Sequence, residues 1–117
     1  MSQINFDKII DLMDGDHDML LEMLHVFCED IPEMIAEIEK AWRNNEIEKI
    51  KAPAHKLKSS ITWLNLYDTY DSLVFLEKFS LDGRDKKEAD FHLKRAIKES
   101  DEAVEFIKIK IKELEKD

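Results

Sequence analysis

The stretch Ile47-Glu48-Lys49-Ile50-Lys51-Ala52-Pro53-Ala54-His55-Lys56-Leu57-Lys58-Ser59-Ser60-Ile61-Thr62-Trp63-Leu64 decides the fold. Its apolar residues Ile47, Ile50, Ala54, Leu57, Ile61 and Leu64 recur at steps of three and four. That spacing gathers them on one side of a helix, as the seam of a helical bundle requires. Pro53 lies inside the run. Either the helix bends there, or a short first segment ends and a second begins with Pro53 in its first turn. Asn65 follows, a residue able to take the left-handed conformation that terminates a helix.

Working outward, the same period recurs on both sides. A short apolar helix over about Phe6–Met13 ends at Asp14-Gly15, and Asp16 stands where an N-cap belongs. From Asp16 to about Arg43, the residues Leu20, Met23, Leu24, Phe27, Ile31, Met34, Ile35, Ile38 and Trp42 predict one long helix. Pro32 removes a backbone donor from it and is expected to kink it. Asn44-Asn45 makes a turn, and Asn45 with Glu48 three residues on reads as a capping box. A third long segment, about Tyr67 to Phe79, presents Tyr70, Leu73, Val74, Leu76 and Glu77. After the polar turn Asp82-Gly83-Arg84-Asp85, a last helix runs from about Lys87 to Glu115. It carries Leu93, Ala96, Ile97, Val104, Ile107, Ile111 and Leu114 on one face. Short turns between long helices imply antiparallel neighbours. The fold class expected is all-α: an antiparallel up-and-down four-helix bundle with an additional short N-terminal helix, residues 1–117 forming a single domain.

Composition narrows the function. With two Gly and two Pro in 117 residues, there are too few turn formers for many strands. The net charge of −9 would repel nucleic acid rather than attract it. The single cysteine, Cys28, excludes an internal disulfide and suits a reducing compartment. No apolar run approaches the roughly 20 residues that span a bilayer, and the N-terminus lacks a signal-peptide pattern. A cytoplasmic monomer is expected, with no membrane contact. Gly15 and Gly83 are isolated, so neither opens a loop of the kind that cradles a nucleotide's phosphates. Any phosphoryl chemistry must therefore use phosphate brought by another molecule.

His55 is the residue that such chemistry would use. At about 100° per residue it lies roughly 140° from the seam, facing water. Lys58 and Ser59 follow at the three- and four-residue steps that make helix neighbours. Lys51 and Thr62 share the stripe, and Ser59 lies nearly opposite the core. A neutral imidazole is nucleophilic near pH 7, because its unperturbed pKa is about 6.5. A phosphoryl group on it would be stabilised by the Lys58 ammonium one turn away. Ala52 and Ser59 are small enough to let a partner's active site approach. Lys51 and Lys56 add local positive charge that favours docking near an acidic pocket. The plainer reading is an ordinary solvated helix face.

On these residues the sequence resembles the histidine phosphotransfer (HPt) domains of multistep His–Asp phosphorelays. Their signature is close to H-x-L-K-G-[SA]-x-x-x-[LIV]-G on the second long helix of a four-helix bundle. Here it reads His55-Lys56-Leu57-Lys58-Ser59-Ser60-Ile61-Thr62-Trp63-Leu64-Asn65. Phe27 and Pro32 on the preceding helix, and Leu76-Glu77 at the family's L-E position, match as well. The resemblance implies a phosphocarrier without an ATP site of its own. His55 would accept a phosphoryl group from a receiver-domain aspartate, Lys58 would neutralise it, and a second receiver would take it. The implied partners are response-regulator receiver domains and an upstream hybrid histidine kinase. The implied docking surface is Lys51, Ala52, Lys56, Ser59, Thr62 and Trp63. No cofactor or metal is expected on this chain, and Mg²⁺ would come with the receiver. Two positions depart from the pattern. Ser59 replaces a glycine where a receiver presses closest, and Asn65 replaces the terminal glycine.

Other readings compete. Asp71-Ser72-Leu73 matches the tripeptide from which acyl carrier proteins hang phosphopantetheine, although here it falls inside a predicted helix. A non-catalytic helical interaction module would keep the bundle and lose the transfer. His17, His25 and His92 are weaker nucleophiles: His25 has Cys28 three residues on, and His92 has Arg95 without the surrounding match. No His or Cys pair has zinc-ligand spacing. Cys28 reads as a packing residue and the methionines as core filler. Trp63 fits either an apolar docking rim or a helix end tucked against the third long helix.

Overall fold

In the computed structural model, which describes residues 4–116, the chain forms five helices: α1 Asp7–Met13, α2 His17–Arg43, α3 Lys51–Thr62, α4 Tyr67–Asp82 and α5 Lys86–Glu115. A single 3₁₀ turn, Ile47–Ile50, leads into α3. No strand is present among the described residues. The last four helices close a square: α2 packs on α3 and α5, α4 packs on α3 and α5, and the diagonal pairs stay apart.

Each helix is set by its apolar stripe. α3 buries Pro53, Ala54, Leu57 and Ile61. α2 contributes Leu20, Leu24, Phe27, Ile31, Met34, Ile35, Ile38 and Ala41 to the same core. Leu73, Leu76 and Phe79 enter from α4, and Leu93, Ala96, Val104, Ile107 and Ile111 from α5. The core is continuous along the bundle. α1 packs on α2 and buries Ile9 completely. Its approach is fixed at the α3–α4 connection, where the Asn5 N–H donates to the Leu64 carbonyl at 2.9 Å. Lys8 Nζ donates to the Thr62 carbonyl beside it, at 3.4 Å.

The helix ends show which local readings hold. Asp16 caps α2 as expected, its carboxylate accepting from the Met19 N–H at 3.0 Å. α2 continues through Pro32, which is exposed, without a break in the helix. Pro53 falls in the first turn of α3, so the two-segment alternative is the one adopted. Asn65 takes a left-handed φ of 59° at the end of α3. The capping box at Asn45 does not form. Asn45 has φ 57° and its N–H donates to Trp42, while the Glu46 N–H reaches back to Ala41. The residue serves as the left-handed stop of α2, which is incompatible with the extended conformation of an N-cap. Among the methionines, Met34 is buried and Met13 and Met23 are partly buried, but Met19 is 53% exposed and fills no core.

α4 and α5 are also joined by a polar network. Arg95 Nε donates to Ser72 Oγ at 2.7 Å, and its outer nitrogen donates to the Asp68 carbonyl at 3.0 Å. The Ser72 hydroxyl is also hydrogen-bonded to His92 Nδ1, 3.0 Å away. The His92 ring stacks on Phe75 at 4.4 Å between centroids. Deeper in, Thr69 donates to the buried Glu99 carboxylate at 2.8 Å.

Two stability measurements follow. Gly83 ends α4 at φ 69°, and a Cβ there would sit 3.1 Å from Ile47 Cδ1, the mobile tip of a side chain. The left-handed backbone therefore dominates the cost, and Gly83→Ala is expected to lose about 1–2 kcal/mol in urea unfolding. Burial, and next the Arg95 charge, lower the His92 pKa. The unfolded chain then binds the proton more readily than the folded one. His92 contributes stability that is fully present above about pH 6.5 and is lost as pH falls through its lowered folded value. Urea unfolding across a pH series is expected to show a smaller acid-side decline for His92→Gln than for wild type.

Candidate functional site

The square arrangement leaves the side of α3 away from its seam uncovered, and the residues singled out from the sequence lie there. Lys51, Ala52, His55, Lys56, Ser59 and Thr62 are exposed. The His55 side chain is 71% exposed. Thr62 does not project freely, because its hydroxyl donates back to the Lys58 carbonyl at 2.8 Å. Trp63 is half-buried and packs against the core.

Lys58 differs most from the helical-wheel expectation. Its side chain is only 17% exposed and turns into the groove between α3 and α4. There its ammonium lies 2.9 Å from Glu77 Oε1 and 5.5 Å from the centroid of the Tyr70 ring. A lysine about one turn from His55 can bury its methylenes along apolar surface and still place its charge on a neighbouring helix. The partners on α4 are what the single-helix reading could not supply.

Glu77 joins the two functional groups. Its Oε1 lies 3.5 Å from His55 Nδ1 as well as 2.9 Å from Lys58 Nζ. The same oxygen is buried and has no well-directed hydrogen bond, so its contact with Lys58 is an ion pair rather than an aligned N–H···O bond. A 3.5 Å separation is long for a hydrogen bond to the imidazole. The carboxylate nevertheless stands against Nδ1, leaving Nε2 on the open side of the ring. Glu77 entered the sequence reading as one residue of the third long segment and as part of a family pattern, without a partner. Its position seven residues after Tyr70 on α4 was the available signal that both face the same neighbour.

The rival sites resolve differently. Ser72 is fully buried in the middle of α4 and engaged by Arg95 and His92, so no prosthetic arm can reach it. His92 belongs to that network, while His17 and His25 are exposed on α2. Burial raises the Cys28 pKa, which keeps it a thiol and fits packing better than reactivity. Among the described residues no group of three or more His, Cys, Asp and Glu side chains could hold a metal ion. Among the same residues no helix is long and apolar enough to cross a membrane.

A groove between α2 and α3 borders the exposed patch, lined by Asp30, Glu33, Met34, Lys56, Ser59 and Ser60. It places acidic and small polar groups next to the basic residues flanking His55.

Comparison with known proteins agrees with this geometry. The family model described as Hpt domain matches residues 22–115. Among solved structures, the chain is similar to the HPT domain from the Hpt sensor hybrid histidine kinase from Shewanella. The TM-score is 0.77 and the sequence identity 16%, over 94% of each chain. That likeness shows a shared fold. No curated protein matches the chain. With the family match covering three whole helices and most of α2, the chain belongs to the Hpt domain family and is a phosphorelay intermediate, a phosphotransfer carrier.

Proposed function

We propose that His55 carries the phosphoryl group, exchanging it between the aspartates of two receiver domains. The observation that supports this most is the ring's placement. Its Nδ1 side faces the Glu77 carboxylate while the side chain as a whole is 71% exposed. A carboxylate beside Nδ1 favours the tautomer with the proton there, which leaves the Nε2 lone pair free to attack.

In the accepting step, Nε2 forms a bond to phosphorus as the bond from phosphorus to the receiver's aspartyl oxygen breaks. The electron pair leaves with the aspartate carboxylate. The ring keeps its Nδ1 proton and becomes cationic, and Glu77 balances that charge. Donation to the next receiver reverses these events. Phosphoryl transfer of this kind depends mainly on alignment and charge, so a rigid helix face is what the carrier must provide. Lys58, swinging out from Glu77, can meet the phosphoryl oxygens. Mg²⁺ is assigned to the receiver's acidic pocket and no cofactor to this chain.

Lys51, Ala52, Lys56 and Ser59 surround His55 as the docking surface, with Thr62 and Trp63 at its far end. Ser59 adds a hydroxyl one turn from the nucleophile, which narrows the choice of receivers that fit. The upstream donor is assigned to a hybrid histidine kinase, and the carrier is taken to act as a cytoplasmic monomer.

The test is phosphoryl transfer from a panel of phosphorylated receiver domains. Wild type is expected to gain an acid-labile, alkali-stable label and His55→Gln none. Label persisting in His55→Gln would place the acceptor elsewhere. Absence of label on wild type with every receiver would favour an interaction module. Lys58→Ala is expected to slow labelling by roughly tenfold or more, since it removes a charge that aids the transferred group.

A further inference from the structure

We infer that Tyr70 is a positioning residue that holds Lys58 in its resting place and thereby shifts the phosphoryl equilibrium away from His55. The inference rests on His55 as the acceptor and adds a control on how long the group stays there.

The argument starts from where the ammonium sits. Lys58 Nζ is 5.5 Å from the Tyr70 ring centroid, within the range where a ring quadrupole attracts a cation. The same nitrogen contacts Glu77 Oε1, on the Nδ1 side of His55. A phosphoryl group on Nε2 would lie across the ring, toward solvent. Lys58 now sits on the opposite, Nδ1 side, held at Glu77 with its side chain 17% exposed. To neutralise the phosphoryl oxygens the ammonium must leave the groove, giving up the Tyr70 face.

Glu77 does not offer the same control. It faces His55 Nδ1 and Lys58 alike, so changing it alters both the nucleophile and the cation. Tyr70 meets the cation through its ring face, 5.5 Å from Lys58 Nζ. Tyr70 is 37% exposed and also lines a shallow groove with Lys8, Thr62 and Tyr67. It is therefore not a core residue retained for packing. Its attraction acts only on the unphosphorylated arrangement, and an interaction that favours one of two states shifts the equilibrium toward it. A carrier benefits, because a phosphoryl group held too firmly would not be passed on.

The experiment compares wild type, Tyr70→Leu and Tyr70→Phe in two measurements. The first is acetylation of Lys58 by acetic anhydride in the unphosphorylated chain, read residue by residue by mass spectrometry. Tyr70→Leu is expected to raise Lys58 reactivity severalfold, and Tyr70→Phe, which keeps a ring face, to leave it near wild type. The second is the equilibrium partition of phosphoryl with a receiver domain that labels wild type. Tyr70→Leu is expected to raise the phosphorylated fraction ratio of this chain roughly two- to fivefold, the size of a partly exposed cation–π contact. Tyr70→Phe is expected to restore the wild-type ratio.

General damage to the fold would lower that ratio, the opposite sign. Tyr70→Met serves as the second variant should Tyr70→Leu fail to fold. Unchanged Lys58 reactivity, or a partition ratio that is unchanged or lower in a folded variant, would overturn the inference. Failure of wild type to take label would instead overturn the acceptor role of His55, and the acetylation measurement would still report whether Tyr70 restrains the lysine.

Discussion

Burial of Ala54, Leu57 and Ile61 holds α3 against α2 and α4, and everything on its other side depends on that one-sided anchoring. The helix is short, 12 residues, and alone in water a helix of that length would be marginal. Its neighbours α2 and α4 make it rigid, while the square arrangement leaves its outer stripe uncovered. The same packing that stabilises the helix therefore also presents His55.

Electrostatics then complete what packing begins. The chain carries a net charge of −9, yet one buried carboxylate oxygen on α4 meets both an imidazole and an ammonium from α3. This concentrates opposite charges at the proposed acceptor. It also joins the two helices on the functional side, whereas Ser72, His92 and Arg95 join α4 to α5 behind it. α4 is thus tied on both flanks, which fixes the carboxylate relative to the imidazole.

Much of this was legible in the sequence because it follows from helical periodicity. The seam from Ile47 to Leu64 placed His55 outward, Asp16 marked a helix start, and Asn65 marked an end. Contacts between elements were harder to read. Lys58 lies near the boundary of the exposed stripe, and whether it points to water or to α4 depends on Glu77 and Tyr70, which no local pattern connects to it. The Asn45 reading failed for a related reason: asparagine suits both a helix start and a left-handed stop, and the bonds closing α2 decided between them. The Ser72–His92–Arg95 network is likewise a product of two helices meeting. The tripeptide around Ser72 carried no sign that its hydroxyl was already engaged.

The uncovered side of α3 has a kinetic consequence. Under the proposed role, His55 offers a single exposed ring to both partners, so a donor and an acceptor domain would have to occupy the same ground. They could not then be bound together, and the carrier would have to release one before greeting the other. Throughput is then governed by residence times rather than by the chemical step alone, and an unphosphorylated receiver in excess acts as a competitive inhibitor of loading. A surface this economical turns a signalling relay into a queue.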